Sequence, residues 1–192
     1  MQIDPSDTVF LSIDIQPRQR TPWTAEKRLE VFKREAFTLE ELNQAVDHFF
    51  DVMLPNAVRV AEFARERKIP RFFVHWAAGT AGLRDDEARP HDSFHVKPAD
   101  RIIPKIEMDA FPSSTIGPEL KKLGRKTLIM VGGHSRGCLG ETAKSALKAG
   151  YRCIAIRDAT FDCSYARWPL GLAEVPYHSV VDTEAFIRVN GT

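Results

Sequence analysis

Three residues with the chemistry to break an acyl bond occur where an α/β chain would bring them together. Asp14 ends the first apolar run of the chain, and Lys105 ends a later, shorter one. Cys138 follows a further apolar run and a glycine turn, at the start of a helical pattern. Because the carboxyl ends of parallel strands meet at one edge of a sheet, these side chains are expected to lie close together.

Together the three side chains would support acyl transfer to a thiol and then to water. A helix N-terminus and a nearby ammonium both favour the thiolate form of a cysteine such as Cys138. A carboxylate such as Asp14 can take the thiol proton and return it to a leaving group. Backbone N–H groups of the turn can hold the developing oxyanion. Taken singly, each residue also fits a structural role, as core cysteine, turn acid or surface lysine.

Apolar runs alternate with helical patterns along the chain, which predicts the elements that would position these residues. The pattern favours one domain, 1–192, with a three-layer Rossmann-like α/β fold: a mostly parallel sheet of about six strands with helices on both faces. Strands are predicted over 8–13, 71–76, 101–105, 127–131, 151–156 and 180–181. Helices are predicted over 55–68, 114–123 and 138–149, and 77–100 is predicted as a long loop.

A charged segment with a helical pattern covers 25–50, and Thr38 with Glu41 fits a capping box within it. This segment is expected to form either a lid or an oligomer contact, and the sequence leaves the choice open. Apolar residues near its end, Phe49, Phe50 and Val52, would suit burial between subunits.

Composition excludes several classes of function. The 192 residues are 43% hydrophobic and 28% charged with a net charge of +1, so a nucleic-acid-binding face is not indicated. An apolar run of the ~20 residues that a membrane span needs is absent, and the polar N-terminus does not resemble a signal peptide. Three cysteines without metal-type spacing favour a reducing compartment, so we expect a cytoplasmic protein without a cofactor.

The chain resembles the isochorismatase-like cysteine hydrolases, because it carries several motifs in the order in which they occur in that family. The family includes nicotinamidases, carbamoylsarcosine amidases and ureide amidases. The resemblance covers most of the chain and is weakest over 17–50 and 77–100. The matching segments, in chain order, are Leu11-Ser-Ile-Asp14-Ile-Gln16, the helix 54–65, Lys105 ahead of Asp109-Ala110-Phe111 and Ser114 or Thr115, then Val131-Gly132 through Cys138-Leu139 to Thr142-Ala143, Gly150-Tyr151 and Asp158-Ala159.

The resemblance implies an amidase mechanism and assigns its residues. Asp14 would be the general base and acid, Lys105 would assist thiolate formation, and Cys138 would attack a carbonyl carbon. A cis peptide is implied between Gly133 and His134, aiming the N–H of His134, with that of Cys138, at the oxyanion. A small-molecule substrate and a homo-oligomer, either dimer or tetramer, are further expectations.

The chain also departs from the family pattern. The Asp-x-His-x-x-x-His metal motif of the nicotinamidase branch is absent, which weakens nicotinamidase as the activity. His91 and His95 could share a metal on a helix, but Pro90 and the loop composition disfavour a helix there, so we assign no metal. Candidate substrate contacts are Gln16, Trp23, Trp76, Phe111, Arg136 and Trp168.

Three alternatives remain open at the level of sequence. The segment Gly133-His-Ser135-Arg-Gly137 fits a Gly-x-Ser-x-Gly nucleophile elbow, which with Asp158 or Asp162 and His178 would make a serine esterase. A thiol-independent isochorismatase-type hydrolase of vinyl ethers is the second, although it is disfavoured by Cys138. A non-catalytic binding scaffold is the third.

Overall fold

The computed structural model describes residues 2–17, 24–26, 37–80 and 84–191. Within them, six strands form one sheet in the order β3-β2-β1-β4-β5-β6, and every neighbouring pair is parallel. The strands are β1 Thr8–Ile13, β2 Arg71–Trp76, β3 Arg101–Lys105, β4 Thr127–Gly133, β5 Arg152–Phe161 and β6 Ser179–Val181. The predicted parallel α/β sheet is therefore confirmed.

The two central strands, β1 and β4, are apolar along most of their length and buried throughout. Such runs are typical of parallel strands covered by helices on both faces. In the register of the sheet, Ile13 at the end of β1 lies beside Val74 of β2 and Gly132 of β4. Asp14, the next residue, is thereby placed at the carboxyl edge of the sheet between two other strand ends.

Helices pack on both faces of the sheet. They are α1 Leu39–His48, α2 Leu54–Glu66, α3 Ala110–Ser113, α4 Ile116–Leu123, α5 Cys138–Lys148, α6 Trp168–Glu174 and α7 Thr183–Asn190. One core cluster joins the sheet to α2 and α7, and a second joins its other face to α4 and α5. No helix in the described ranges is long and apolar enough to span a membrane.

The predicted capping box at the start of α1 is present, since Thr38 and Glu41 satisfy each other's backbone N–H groups. A single π-helical turn, Phe49–Met53, joins α1 directly to α2. Phe49 is 1% exposed and packs in the core of this chain. The expectation that Phe49 would be buried between subunits was therefore wrong. Trp23 and residues 27–36 lie outside the described residues, as do 18–22.

Two parts of the C-terminal region differ from prediction. Strand β5 continues to Phe161, five residues beyond its predicted end, because the polar residue Asp158 within it is satisfied by Thr183 and Asn56. The helices α6 and α7 were not predicted. Both are short, at seven and eight residues, and too short for a strong helical period.

Candidate active site

Asp14 follows the last residue of β1 and adopts a left-handed backbone conformation with φ of 53°. Its N–H donates to the carbonyl of Val74 at 2.9 Å, which continues the pairing of β1 with β2. Residues other than glycine rarely adopt this conformation, and departures of this kind cluster at functional sites. The side chain is buried at the carboxyl edge of the sheet.

Lys105 ends β3 and is completely buried. Its Nζ lies 3.0 Å from Oδ2 of Asp14, donates to the carbonyl of Glu107 at 3.0 Å, and lies 3.6 Å from the ring centroid of Trp76. A buried ammonium is costly unless it is paired, and these three contacts supply the pairing. Two strand ends that are 91 positions apart in the chain are thus joined by one ion pair.

Cys138 is the first residue of α5 and is nearly buried, beside both charged groups. Burial, reinforced by the negative charge of Asp14 and opposed by Lys105, raises the pKa of the thiol to about 12. The sequence had suggested a lowered pKa, and that expectation was wrong. Desolvation and the carboxylate outweigh the lysine and the helix terminus, so the resting thiol is protonated.

The carboxyl group of Asp14 is suited to receive that proton. Burial raises its pKa, while the charge of Lys105 and interactions with Cys138 act in the opposite direction without cancelling the effect of burial. Its contacts with Lys105 and Cys138 are close but not aligned as directed hydrogen bonds, so both carboxylate oxygens retain accepting capacity. A protonated thiol beside a carboxylate of raised basicity is an arrangement for proton transfer during attack.

Strand β4 ends with two glycines that the packing requires, directly before the turn to α5. Gly132 has a φ of +105°, and a Cβ atom there would lie 2.0 Å from the carbonyl oxygen of Ile13. A Cβ atom on Gly133 would lie 2.5 Å from the carbonyl oxygen of Phe161. The cis peptide implied by the resemblance is present between Gly133 and His134.

Some backbone N–H groups at this turn donate hydrogen bonds within the protein and others do not. Those of Ser135, Gly137 and Leu139 donate to carbonyl oxygens at 2.9, 3.0 and 3.2 Å. Among hydrogen bonds of the described residues, none uses the N–H of His134 or Cys138. These two groups are therefore available to an oxyanion beside the thiol.

Asp162, just beyond β5, stabilises the turn between β4 and α5 through hydrogen bonds. Its Oδ2 accepts from the Ser135 hydroxyl at 2.7 Å and from the Arg136 N–H at 3.0 Å. Burial acts to raise the pKa of Asp162, but nearby His134 and these hydrogen bonds hold it below its usual range. From the sequence, Asp162 was a candidate only for the acid of a serine triad. Its position after a strand end at the same sheet edge was the available signal for this supporting role.

The nucleophile-elbow alternative is not assembled. Ser135 is fully buried, and its hydroxyl donates to Asp162 and to the carbonyl of Trp168 rather than to a histidine. The ring of His178 accepts from the N–H of Cys153, near the start of β5 and thus at the opposite edge of the sheet from Ser135.

Gln16 and Trp76, two of the predicted substrate contacts, form structural contacts at the sheet edge that carries Asp14 and Lys105. The Gln16 amide donates to the carbonyl of Glu87 at 2.9 Å and accepts from the N–H of Trp76 at 3.1 Å. The ring of Trp76 faces the Lys105 ammonium. The ring of Phe111, a third predicted contact, packs beside that of Tyr151, which precedes β5, with 6.1 Å between the ring centroids.

The last two predicted contacts are Arg136, in the turn between β4 and α5, and Trp168, the first residue of α6. Arg136 forms an ion pair with Glu174 at 2.8 Å, and its side chain is 43% exposed. The indole N–H of Trp168 donates to the Thr160 hydroxyl at 2.7 Å, and its ring lies 4.5 Å from that of His48.

An open cleft of about 400 Å³ adjoins this aromatic group, which sequence reasoning did not predict. It is lined by Gln44, Asp47, His48, Asp51, Val52 and Tyr165.

His91 and His95 do not share a helix face. A single 3-10 turn, Asp92–Phe94, separates them, and the ring of His91 accepts from the N–H of Ser93. His95 is exposed and left-handed, with φ of 44°. The helical arrangement that a shared metal would need is therefore not formed by this pair.

Comparison with known proteins finds relatives that include an amidase. An isochorismatase domain model matches residues 8–184. The chain is 25% identical over 161 residues to N-carbamoylsarcosine amidase from Arthrobacter sp, covering 72% of this chain and 61% of that protein. It is 30% identical over 121 residues to streptothricin hydrolase from Streptomyces noursei, covering 57% of this chain and 44% of that protein. The chain thus spans less than two thirds of either relative.

Solved structures share the fold along the whole chain. An isochorismatase family protein from Burkholderia thailandensis superposes with a TM-score of 0.72 at 16% identity, covering 100% of this chain and 98% of that one. N-carbamoylsarcosine amidase from Thermoplasma acidophilum superposes with a TM-score of 0.67 at 17% identity, covering 93% and 97%. With a domain model that matches nearly the full length, this chain belongs to the isochorismatase family.

Proposed function

We propose that the protein hydrolyses the C–N bond of a small-molecule amide, with Cys138 as the nucleophile and a thioester intermediate. The observation that carries this proposal is the buried ion pair of Asp14 and Lys105 beside a thiol at the first turn of α5. A buried acid, ammonium and thiol are costly to assemble, and a purely structural core would use apolar residues instead.

The first half-reaction forms the thioester. Asp14 takes the proton of the Cys138 thiol as sulfur attacks the amide carbon, and the carbonyl oxygen becomes an oxyanion. The N–H groups of His134 and Cys138 stabilise this oxyanion. Collapse of the tetrahedral intermediate breaks the C–N bond, and the proton held by Asp14 passes to the leaving nitrogen.

The second half-reaction returns the enzyme to its resting state. Asp14 takes a proton from water as the water oxygen attacks the thioester carbon. The C–S bond then breaks, the acid product leaves, and the sulfur of Cys138 regains the proton. Throughout, Lys105 offsets the negative charge that is shared between carboxylate and thiolate.

Substrates of carbamoyl type are the first class to test, because a relative is named as an N-carbamoylsarcosine amidase. Ammonia release from N-carbamoyl amino acids, ureides and simple primary amides would be measured with the wild-type chain and with Cys138→Ala. The matched control is Cys153→Ala, which removes the buried thiol between β5 and α5. We expect turnover in the wild type and the control and none in Cys138→Ala. Undiminished turnover in Cys138→Ala would overturn the mechanism.

The alternative functions predict different results with other substrates. A serine esterase would hydrolyse an aryl ester and lose that activity in Ser135→Ala, whereas the amidase keeps measurable turnover when Ser135 is replaced. A thiol-independent vinyl ether hydrolase would act on such ethers in Cys138→Ala. A binding scaffold would turn over no member of the panel.

A further inference from the structure

Three side chains with metal-ligating atoms lie together at the turn between β4 and α5 and just beyond the end of β5. His134, Asp162 and Cys163 each offer one ligand atom, and all three atoms lie within 4.8 Å of one another. The proposed hydrolysis uses the backbone N–H of His134 and none of these three side chains. The sequence did not reveal the group, because His134 lies 28 positions before Asp162 and the spacing matches no metal motif.

The donor set is one nitrogen, one oxygen and one sulfur, which suits Zn²⁺ better than Mg²⁺ or Ca²⁺. In a tetrahedral zinc site with bonds of about 2.0–2.3 Å, neighbouring ligand atoms lie about 3.3–3.6 Å apart. The Cys163 sulfur already lies 3.2 Å from Oδ1 of Asp162. The other two ligand-atom distances are at most 4.8 Å, so side-chain rotations that shorten them would bring this set to zinc geometry.

Surrounding contacts already orient the central ligand. The Oδ2 atom of Asp162 is held by Ser135 and Arg136, while its Oδ1 faces Cys163. Ligands whose remaining atoms are fixed by hydrogen bonds bind metal more tightly. His134 is exposed and Asp162 is buried, so a cation could enter from solvent and keep its fourth position open to water.

We propose that His134, Asp162 and Cys163 form a binding site for Zn²⁺, and that occupancy of this site inhibits the hydrolase. Inhibition follows from position: the turn that carries His134 also carries the two N–H groups proposed for the oxyanion. The His134 side chain is also near enough to Asp14 to influence it electrostatically, so a bound dication would make that carboxylate a weaker base. The inhibitory part rests on the proposed function, whereas the binding part does not.

Co²⁺ is the probe, because a cobalt–thiolate bond gives an intense charge-transfer band and Zn²⁺ displaces the ion. The purified full chain would be titrated with Co²⁺ and then with Zn²⁺. Cys163→Ser and His134→Gln each remove one ligand, and the latter keeps the backbone N–H. Cys153→Ala and Cys138→Ala are the controls that remove the other two thiols.

The site predicts one Co²⁺ per chain with a thiolate band that Zn²⁺ abolishes. Because loss of even an outer-shell partner weakens metal binding about tenfold or more, loss of a direct ligand is expected to weaken it at least as much in Cys163→Ser and His134→Gln. Both controls should keep the band. Zn²⁺ should also inhibit amide turnover in the wild type at least tenfold more strongly than in Cys163→Ser.

Two results would overturn the site: absence of the band in the wild type, or a band that persists in Cys163→Ser and disappears in Cys138→Ala. The second would place the metal on the catalytic thiol. A band that behaves as predicted while Zn²⁺ inhibits wild type and Cys163→Ser equally would overturn the inhibitory role. Failure of the amidase proposal would leave the spectroscopic result unaffected, so the two failures are distinguishable.

Discussion

At the scale of single residues, the proposed chemistry depends on two buried charges that neutralise each other. Asp14 and Lys105 are nearly or fully buried, and each is the other's counter-ion at 3.0 Å. Removing one partner of a buried pair leaves an uncompensated charge, which commonly lowers the free energy of unfolding by about 3–5 kcal/mol. The ion pair therefore links the stability of the sheet edge to the proposed chemistry.

Replacing Lys105 by methionine is expected to lower both stability and reactivity. The variant should unfold at lower urea concentration, and its turnover at pH 7 should fall by about 100-fold or more, since Asp14 and Cys138 lose their shared cation. Lys126→Met is the matched control, because that lysine also lies over a ring, 5.4 Å from the centroid of Tyr151, but outside the site. Equal effects of the two substitutions would argue against the assigned role of Lys105.

Replacing Asp14 by asparagine is expected to move turnover and thiol reactivity in opposite directions. Asp14 raises the pKa of Cys138, so its removal leaves Lys105 to favour the thiolate, and alkylation should become faster. Turnover should be lost with the base. Iodoacetamide labelling of the tryptic peptide 137–144, followed between pH 6 and 10, gives the rate.

In the wild type, the raised pKa of Cys138 has a definite consequence for pH dependence. Below a thiol pKa of about 12 the thiolate fraction rises about tenfold per pH unit, so labelling should be slow at pH 6 and should increase steeply with pH. Rapid labelling of Cys138 at pH 6 would show an activated thiolate and contradict this electrostatic account.

At the scale of elements, the turn between β4 and α5 determines where the thiol and the two N–H groups point. Gly132 packs against the carbonyl of Ile13, the residue before Asp14, so the turn and the acid are held in contact through the backbone. Asp162 holds the turn from the end of β5. The ends of β1, β4 and β5 therefore fix the geometry of this turn.

Replacing Gly132 by alanine is expected to disrupt this turn. Both the positive φ and a Cβ atom 2.0 Å from the Ile13 oxygen disfavour the substitution, and a cost of more than about 3 kcal/mol in unfolding free energy is expected. Gly150→Ala is the control, since its φ is +84° and nothing lies within 4 Å of its added Cβ. That variant should lose only about 1–2 kcal/mol. Similar urea midpoints for the two variants would contradict the role of close packing.

Element ends were the most predictable part of the site. Asp14 and Lys105 were located from sequence because each interrupts an apolar run, and Cys138 because a glycine turn precedes a helical period. The direction in which the pKa of the Cys138 thiol is shifted could not be predicted in this way. Desolvation depends on how deeply the assembled sheet buries the three groups, which is a tertiary property absent from local pattern.

At the scale of the whole molecule, the two edges of the sheet have different roles. The carboxyl edge carries the groups proposed for catalysis, whereas the amino edge of β2 carries Arg71, a buried arginine. Arg71 binds Asp100 through two hydrogen bonds at 2.6 and 2.9 Å, and this pair anchors the segment before β3. Parallel topology separates the edges by the length of a strand, so stability and chemistry can be perturbed independently.

Asp100→Asn tests that separation. Because the buried Arg71 charge would keep only its longer pair with Glu62, at 3.4 Å, the free energy of unfolding should fall by up to about 3–5 kcal/mol. Turnover per folded molecule should stay close to that of the wild type. Asp86→Asn removes a pair with Arg84 that is 70% exposed on both sides, and it should cost less than about 1 kcal/mol. A large loss of turnover in folded Asp100→Asn would show that the edges are coupled.

The order of elements also explains how far prediction from sequence could reach at this scale. Alternating apolar and helical patterns were sufficient for the parallel sheet, because few topologies satisfy right-handed connections. They were insufficient for the roles of Gln16 and Trp76, which depend on a loop, 84–91, folding back over β2. Long-range contacts of that kind leave no periodic signal in the chain.

The most direct test of the central claim is to find which residue carries the acyl group. The enzyme would be quenched in acid during turnover of an amide, digested with trypsin and mapped by mass spectrometry. Cleavage after Arg136 separates peptide 127–136, with Ser135, from peptide 137–144, with Cys138. The account predicts the acyl mass on 137–144, and its disappearance in Cys138→Ala together with turnover. Acylation of 127–136, or undiminished turnover in Cys138→Ala, would contradict it.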